Sequence, residues 1–172
     1  MKPRSFSPPV WTEVGSIRCK VIGFELDFVP KFSYVGIDPG YNFGAAVLEG
    51  GKKHGMVWYG KLPEAEDRPT RAFLAEVFAF GLPRLDYGCA VIEGANYKAT
   101  QGQVLLAEVR YSFWRGLHGI CQERVIAAPS TIRKGVFGSG KVTAFDQWPV
   151  IDHNAADALG AAIYAHHLKE AT

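Results

Sequence analysis

Residues 34–40, Tyr-Val-Gly-Ile-Asp-Pro-Gly, constrain the fold more than any other stretch of this sequence. A short apolar run ends in a carboxylate, Asp38, and Pro-Gly then turns the backbone sharply. Residues 41–49 continue with small and apolar side chains, which predicts a second strand paired antiparallel to the first. Asp38 is therefore expected at a strand end, facing the cleft that later elements build at that edge of the sheet.

The order of the predicted elements is that of an α/β sandwich with a mixed sheet. After the opening hairpin, residues 54–60 predict a third strand, so that the first three strands form an antiparallel meander. Residues 88–94 are an apolar run that contains Glu93 at its end, as in strands buried on both faces of a sheet. A fifth strand is predicted at residues 124–128, and helices are predicted at residues 70–80, 100–118, from about 130, and 154–168.

Two stretches are predicted to lie outside this framework. Residues 1–16 contain three prolines and no periodicity, which is typical of a tail or arm. Residues 17–29 alternate partly between polar and apolar side chains, so they are expected to form a strand that adds to an edge of the sheet. Residues 135–140 are rich in glycine and predict a mobile loop.

Composition sets broad limits on function. At 172 residues the chain has the length of one domain, and its formal net charge of +2 does not by itself indicate a nucleic-acid binder. Between residues 98 and 146, however, seven basic residues stand against three acidic ones, a local excess of +4. The three cysteines are too widely spaced for a zinc or redox motif and predict reduced thiols in a cytoplasmic protein. No apolar run suits a membrane span or a secretory signal.

Three carboxylates stand at positions that this fold would bring together. Asp38 and Glu93 end apolar strands, and the ligand crevice of an α/β sheet lies beyond such ends. Asn154 and Asp157 are three residues apart on the last predicted helix, so they share one face of it. Clustered carboxylates repel one another unless a cation is present, and Mg²⁺ or Mn²⁺ favours all-oxygen ligands. The pattern therefore indicates a divalent metal site.

Metal-assisted hydrolysis of a phosphodiester is the reaction that such a site favours. Two ions about 3.5–4 Å apart would activate a water on one side of the phosphodiester and stabilise the departing 3′ oxygen on the other. The sequence contains no Walker-type phosphate loop, dinucleotide fingerprint or Ser-His-Asp arrangement. Taken singly, Asp38 is typical of a turn, Glu93 of a solvated strand end and Asp157 of a helix N-terminus. The metal-site hypothesis depends on all three carboxylates.

Three motifs occur in a fixed order: Gly36-Ile37-Asp38-Pro39-Gly40, Ala90-Val91-Ile92-Glu93 and Asn154-Ala155-Ala156-Asp157-Ala158-Leu159. Together they resemble the RuvC family of Holliday junction resolvases, which belongs to the RNase H-like superfamily. The resemblance covers residues 33–167 and implies an RNase H-like fold, with a mixed five-stranded sheet flanked by helices. It divides the chain into an N-terminal arm or extra edge strand, residues 1–32, and a nuclease domain, residues 33–172.

The activity that the resemblance implies is symmetric nicking of a four-way DNA junction by a homodimer, leaving 5′ phosphates and 3′ hydroxyls. It also implies Mg²⁺, two ions in each active site with Mn²⁺ as a substitute, and no nucleotide cofactor. Asp38, Glu93 and Asp157 match the acidic ligands of the family.

Asn154 departs from the family pattern, because relatives carry Asp or His at this position. An amide oxygen can bind a metal, but an amide cannot act as a base or add negative charge. His153 and Asp152, the two preceding residues, are therefore alternative candidates for the fourth ligand.

Five residues match positions where the family contacts DNA. The loop after Glu93 holds Tyr97 and Lys98, and an aromatic ring such as that of Tyr97 can stack on an unpaired base at the crossover. Three further residues match positions where the family has basic residues that contact phosphates: Arg133, Lys134 and Lys141. Arg110 and Arg115 are compatible in equal measure with helix-surface charges and with phosphate contacts, and they are left out of the candidate site.

Two alternatives to a junction resolvase stay open at the level of sequence. One is another RNase H-like nuclease that cuts flaps or RNA–DNA hybrids. The other is a catalytically weak junction-binding protein, which the Asn154 departure keeps open.

Overall fold

The computed structural model describes residues 2–65, 67–94, 103–149 and 151–170. Its elements, in chain order, are β1 Pro3–Phe6, β2 Val10–Val14, β3 Ile17–Leu26, β4 Ser33–Asp38, β5 Asn42–Leu48, β6 His54–Lys61, α1 Arg68–Phe80, β7 Tyr87–Glu93, α2 Gln103–Gly116, β8 Arg124–Ala127, α3 Pro129–Phe137, α4 Ala144–Gln147 and α5 His153–Glu170.

One mixed sheet organises the described residues. Its strand order is β1-β3-β6-β5-β4-β7-β8, with β2 paired to another stretch of β3. β4, β5 and β6 form the antiparallel meander, while β7 and β8 add in parallel beside β4. The mixed α/β class and the flanking helices are as predicted, but the sheet has eight strands and not five.

The three additional strands come from the N-terminal region. Residues 17–29 were predicted to form a strand at the edge of the sheet, and β3 lies there. β3 is not at the edge, however, because β1 and β2 pair with its outer side. The prediction of a tail over residues 1–16 was wrong, because β1 and β2 occupy most of it. Gly15 and Ser16 join β2 to β3 with φ angles of 53° and 66°, which suits a two-residue hairpin turn. This turn was the missed sequence signal.

Helices cover both faces of the sheet. α3, α4 and α5 pack on one face, where the core includes Ile132, Ala144 and Leu159. α1 and α2 pack on the other face, where the core includes Phe78 and Phe113. Each strand of the meander therefore contributes alternate side chains to two hydrophobic layers, which explains the nearly continuous apolar runs in the sequence.

The stretch 135–140 differs from its prediction. Gly135 lies inside α3, which continues to Phe137 and ends at Gly138, whose φ of 74° suits a glycine cap. Gly135 is required there because a Cβ would lie 2.4 Å from the ring of Tyr164 on α5. A single short helix, α4, follows, and it was not predicted.

Two glycines allow α5 to lie directly on the sheet. A Cβ at Gly36 of β4 would lie 2.0 Å from the carbonyl oxygen of Ala158. A Cβ at Gly44 of β5 would lie 2.0 Å from the carbonyl oxygen of Asn154. Since backbone meets backbone at both places, the N-terminal half of α5 is fixed over the ends of β4 and β5.

We expect Gly36→Ala to destabilise the protein by about 1–3 kcal/mol, because the added methyl group has no space between β4 and α5. Gly160→Ala on α5 is the matched control, since its Cβ would meet Ala144 at an ordinary 3.7 Å. The control should be neutral or stabilising by up to about 1 kcal/mol. Urea unfolding measures both, and equal stabilities would contradict the close packing.

Two further features concern the cysteines and the helices. Cys19, Cys89 and Cys121 are free thiols, and burial raises the pKa of Cys19 and of Cys89 to about 11. In the described ranges, no helix is both long enough and apolar enough to cross a membrane.

Candidate acidic centre at the carboxyl edge of the sheet

Asp38 and Glu93 lie side by side at the carboxyl edge of the sheet. Asp38 is the last residue of β4, and Glu93 is the last residue of β7. The parallel register pairs Ile37 with Ile92, so the two acidic residues follow at the same level on neighbouring strands. Alternation places both side chains on the face that α5 covers.

The third carboxylate reaches this edge from α5. Asp157 lies in the first turns of that helix, and only 8% of its surface is exposed. The contact between Gly44 and Asn154 fixes the height of the helix over the strand ends. The three acidic residues that the sequence selected are therefore at one edge of the sheet.

Asp152, and not Asn154, caps α5. The Asp152 carboxylate accepts from the backbone N–H of Asn154 at 2.9 Å, and the Asp152 carbonyl accepts from Ala156. The side-chain amide of Asn154 also donates to this carboxylate, at 3.1 Å. The cap therefore orients the Asn154 amide, and its carbonyl oxygen is left as the atom that could bind a cation.

The pKa values of all three carboxylates are raised, chiefly by burial. Burial raises the pKa of Asp38 well above its ordinary value, and the charges of Glu93, Asp157 and Asp152 raise it further. Burial and the charge of Asp157 raise the pKa of Glu93 to about 7. Burial also raises the pKa of Asp157, against the opposing effect of Arg133 and His153. This centre therefore holds more negative charge than its surroundings stabilise.

Arg133 of α3 lies beside this charge. Its Nη2 lies 3.8 Å from Oδ1 of Asp157, and its charge lowers the pKa of Asp38 and of Glu93. The Nε of Arg133 is buried, and it has no hydrogen-bond acceptor within the part of the chain that the structure describes. Arg133 is thus a cation inside the acidic centre with an unused donor.

His153 also turns towards Asp157. Its Nε2 lies 3.6 Å from Oδ2 of Asp157, and its ring packs against Phe145 with a centroid distance of 5.4 Å. His153 is largely exposed, whereas Asp157 is buried, so the imidazole covers the carboxylate from the solvent side. The place of His153 is compatible with its prediction as an alternative ligand.

Arg110 supports the centre and was missed from the sequence. Its Nε donates to the backbone carbonyl of Glu93 at 3.1 Å, and its charge lowers the pKa of Glu93. Arg115, the other arginine set aside on the same helix, instead pairs with Glu76. Helical periodicity alone cannot tell which of the two arginines contacts Glu93, because this depends on how α2 packs against β7.

The chemistry of the donor set fits a hard divalent cation. Three carboxylates and one amide carbonyl are all-oxygen ligands, and a cation would favour the charged form of carboxylates whose pKa values are raised by burial and, for Asp38 and Glu93, by neighbouring charge. The side chains are not drawn together as ligands in this structure: within the described ranges, no three His, Cys, Asp or Glu residues are placed to hold one ion. Arg133 and His153 contact Asp157 instead.

The other residues predicted to contact DNA lie in different parts of the chain. Tyr97 and Lys98 lie outside the described residues. Lys134 is exposed on α3, one residue after Arg133. Lys141 is exposed in the loop after α3, where a Cβ on the preceding Gly140 would lie 3.2 Å from the carbonyl oxygen of Ser130. This loop therefore returns to the start of α3, which follows β8 at the same edge of the sheet.

The strand order and the flanking helices are those of an RNase H-like α/β fold. No family model matches the chain, and no curated protein sequence matches it either. Among solved structures, it is similar to RuvC from Thermus thermophilus, with a TM-score of 0.61 and 16% identity, over 81% of this chain and 97% of that chain. It is also similar to Thermus thermophilus RuvC in complex with a Holliday junction substrate, with a TM-score of 0.56 and 15% identity, over 80% and 95% of the two chains. The chain therefore has a RuvC-like fold.

Proposed function

We propose that this protein is a divalent-metal-dependent endonuclease that resolves four-way DNA junctions by paired nicks. The observation that carries the proposal is the meeting of Asp38, Glu93 and Asp157 at one edge of a RuvC-like fold, each with a raised pKa. Mutually repelling carboxylates at a functional edge favour a cation site over a structural role. The similar RuvC complex with a Holliday junction substrate supports DNA junctions as the substrate class.

The residues of the chain have separate tasks in this proposal. Asp38, Glu93, Asp157 and the carbonyl of Asn154 would hold Mg²⁺ or Mn²⁺, which supplies Lewis acidity and lowers the pKa of a water. Arg110 holds the backbone of Glu93, and Asp152 orients the amide of Asn154.

Substrate contacts would surround this centre. The Arg133 guanidinium, whose side chain is one-quarter exposed, is suited to a phosphate oxygen, which accepts strongly from such a group. Lys134 and Lys141 are exposed cations that can neutralise the DNA backbone without reading its sequence. We include Tyr97 and Lys98 on the family resemblance alone. A homodimer would provide two centres for two opposed strands.

A second candidate function is binding of junctions with weak or absent catalysis. The contact between Arg133 and Asp157 favours it, because this arginine already supplies the positive charge that a metal would bring. Asn154 favours it too, since an amide adds no negative charge for a second ion.

Cleavage of labelled substrates in Mg²⁺ or Mn²⁺ tests the two candidates. We expect paired nicks in a four-way junction and little cutting of a linear duplex, a flap or an RNA–DNA hybrid of the same sequences. Preferential cutting of a flap or hybrid would contradict junction resolution while keeping the nuclease. Tight junction binding without nicks in either metal would establish the second candidate.

A further inference from the structure

A row of directly paired residues crosses the sheet from the acidic centre to the N-terminal hairpin. Asp38 pairs with Gly44, Gly44 with Tyr59, Tyr59 with Lys20, and Lys20 with Trp11. Directly opposite residues point to the same face of a sheet, so this row lies on the face that α5 covers at Gly44. Four strand spacings of about 4.8 Å place Trp11 about 19 Å from Asp38.

The far end of this row is an exposed aromatic ring with two cations. Trp11 is 60% exposed. The guanidinium of Arg18 lies 4.7 Å from the centre of its ring, and Nζ of Lys20 lies 5.4 Å from it. We call Trp11, Arg18 and Lys20 the tryptophan patch. None of the ion pairs in the described part of the chain uses either cation, although Glu13 pairs directly with Arg18 in the hairpin register.

The chemistry of the tryptophan patch suits a nucleic-acid backbone. Two cations that form no ion pair among the described residues can contact adjacent phosphates, and the flat face of an indole can pack on a sugar or a base. Their stacking on Trp11 also holds both long side chains near the surface, which lowers the entropy lost when they bind. Glu13 reduces the local positive charge, so it should weaken such binding.

The position of the tryptophan patch favours DNA as its ligand over other anions. The patch lies on the face of the acidic centre, and a DNA strand advances about 3.4 Å along its axis with each nucleotide. A distance of about 19 Å therefore corresponds to about five or six nucleotides from the scissile phosphate. We propose that the tryptophan patch binds the backbone of a junction arm at this distance from the cut, as an extension of the proposed nuclease site on which it rests.

Another role for these cations would be to protect the edge of the sheet. Lysine and arginine on outer strands discourage pairing with other chains. That role predicts a change of solubility without a change of DNA affinity, so a binding measurement separates the two.

The test compares two charge-matched double variants by fluorescence anisotropy on a labelled four-way junction, in Ca²⁺ and across a salt series. R18Q/K20Q should weaken binding about tenfold and lower the log–log salt slope by about two, because two phosphate contacts are lost. Lys52 and Lys53 are exposed in the turn between β5 and β6, at the opposite edge of the sheet. K52Q/K53Q removes the same charge there, and it should leave the slope within about half a unit of wild type.

Two further measurements locate the contact. Neutral methylphosphonates about five or six nucleotides from the mapped nick should weaken wild-type binding and leave R18Q/K20Q unaffected. Glu13→Gln should tighten binding. Circular-dichroism melting of all variants controls for folding.

The outcomes separate this inference from the proposed function. If wild type nicks the junction, and both double variants bind it with the affinity and the salt slope of wild type, the patch inference is overturned and the proposed nuclease function is retained. If both double variants lose affinity equally, the effect is one of general charge and the inference is again overturned. If wild type neither binds nor nicks the junction, both proposals fail.

Discussion

Asp38→Asn is expected to abolish junction cutting, lowering the rate about a thousandfold or more, while junction binding is retained. The proposed metal contribution to the transition state amounts to several kcal/mol, and an amide at this position can no longer bring the negative charge that holds the cation. Phosphate contacts come from other residues, so affinity should stay within about twofold or improve, as one charge that repels the backbone is lost. Single-turnover cleavage and anisotropy measure the two quantities.

The same substitution should not damage the fold. Asp38 is surrounded by like charges and is largely desolvated, which raises its pKa. Removing its charge therefore relieves repulsion, and the metal-free protein should be at least as stable as wild type at neutral pH. Asp27→Asn is the control. Asp27 directly follows the last residue of β3, is exposed, and accepts from the backbone N–H of Lys2. Unchanged cutting by Asp38→Asn would place the reaction elsewhere.

The sequence predicted the central part of this fold because burial leaves a clear pattern there. β4, β5, β6 and β7 are apolar runs that contain few polar side chains, and β4 and β7 each end at a carboxylate. β1 and β2 escaped prediction because strands at the outer part of a sheet pair on one side and need little burial. Prolines at positions 3, 8 and 9 further concealed them, since proline is tolerated at strand ends and edges.

In the candidate site, too, some residues follow from local sequence pattern and others depend on tertiary packing. Asp38, Glu93 and Asp157 could be selected from the sequence because strand ends and helix faces follow from local pattern. Arg110 and Arg133 could not be placed in the same way, because each belongs to a helix whose rotation and height depend on tertiary packing. Local pattern therefore selected the three acidic residues, and the family resemblance selected Arg133 as a phosphate contact, whereas the contacts of Arg110 and Arg133 with this centre became evident only from the packed structure.

Under the proposed function, these cations would determine how strongly the centre attracts a metal. A guanidinium near Asp157 lowers the negative potential that a divalent ion would experience. At the same time it stabilises the carboxylates when no metal is bound, as the opposing effects on the pKa values of Asp38 and Glu93 indicate. Arg133 and a metal ion are therefore expected to compete for the same charge.

Arg133→Gln should tighten Mn²⁺ binding about tenfold, because one partly buried positive charge beside the proposed ligands is removed. The metal-free variant should also be less stable than wild type, and saturating Mn²⁺ should restore more stability to it than to wild type. Isothermal titration calorimetry measures the dissociation constant, and thermal melting with and without Mn²⁺ measures the stabilities.

Lys134→Gln provides the control for this prediction. Lys134 is the next residue of α3, carries the same charge and is exposed, so solvent screens it from the carboxylates. Its loss should change Mn²⁺ affinity less than about twofold. Equal Mn²⁺ affinities for Arg133→Gln and wild type, together with weaker junction binding by the variant, would show that Arg133 acts on phosphate and does not compete with the metal.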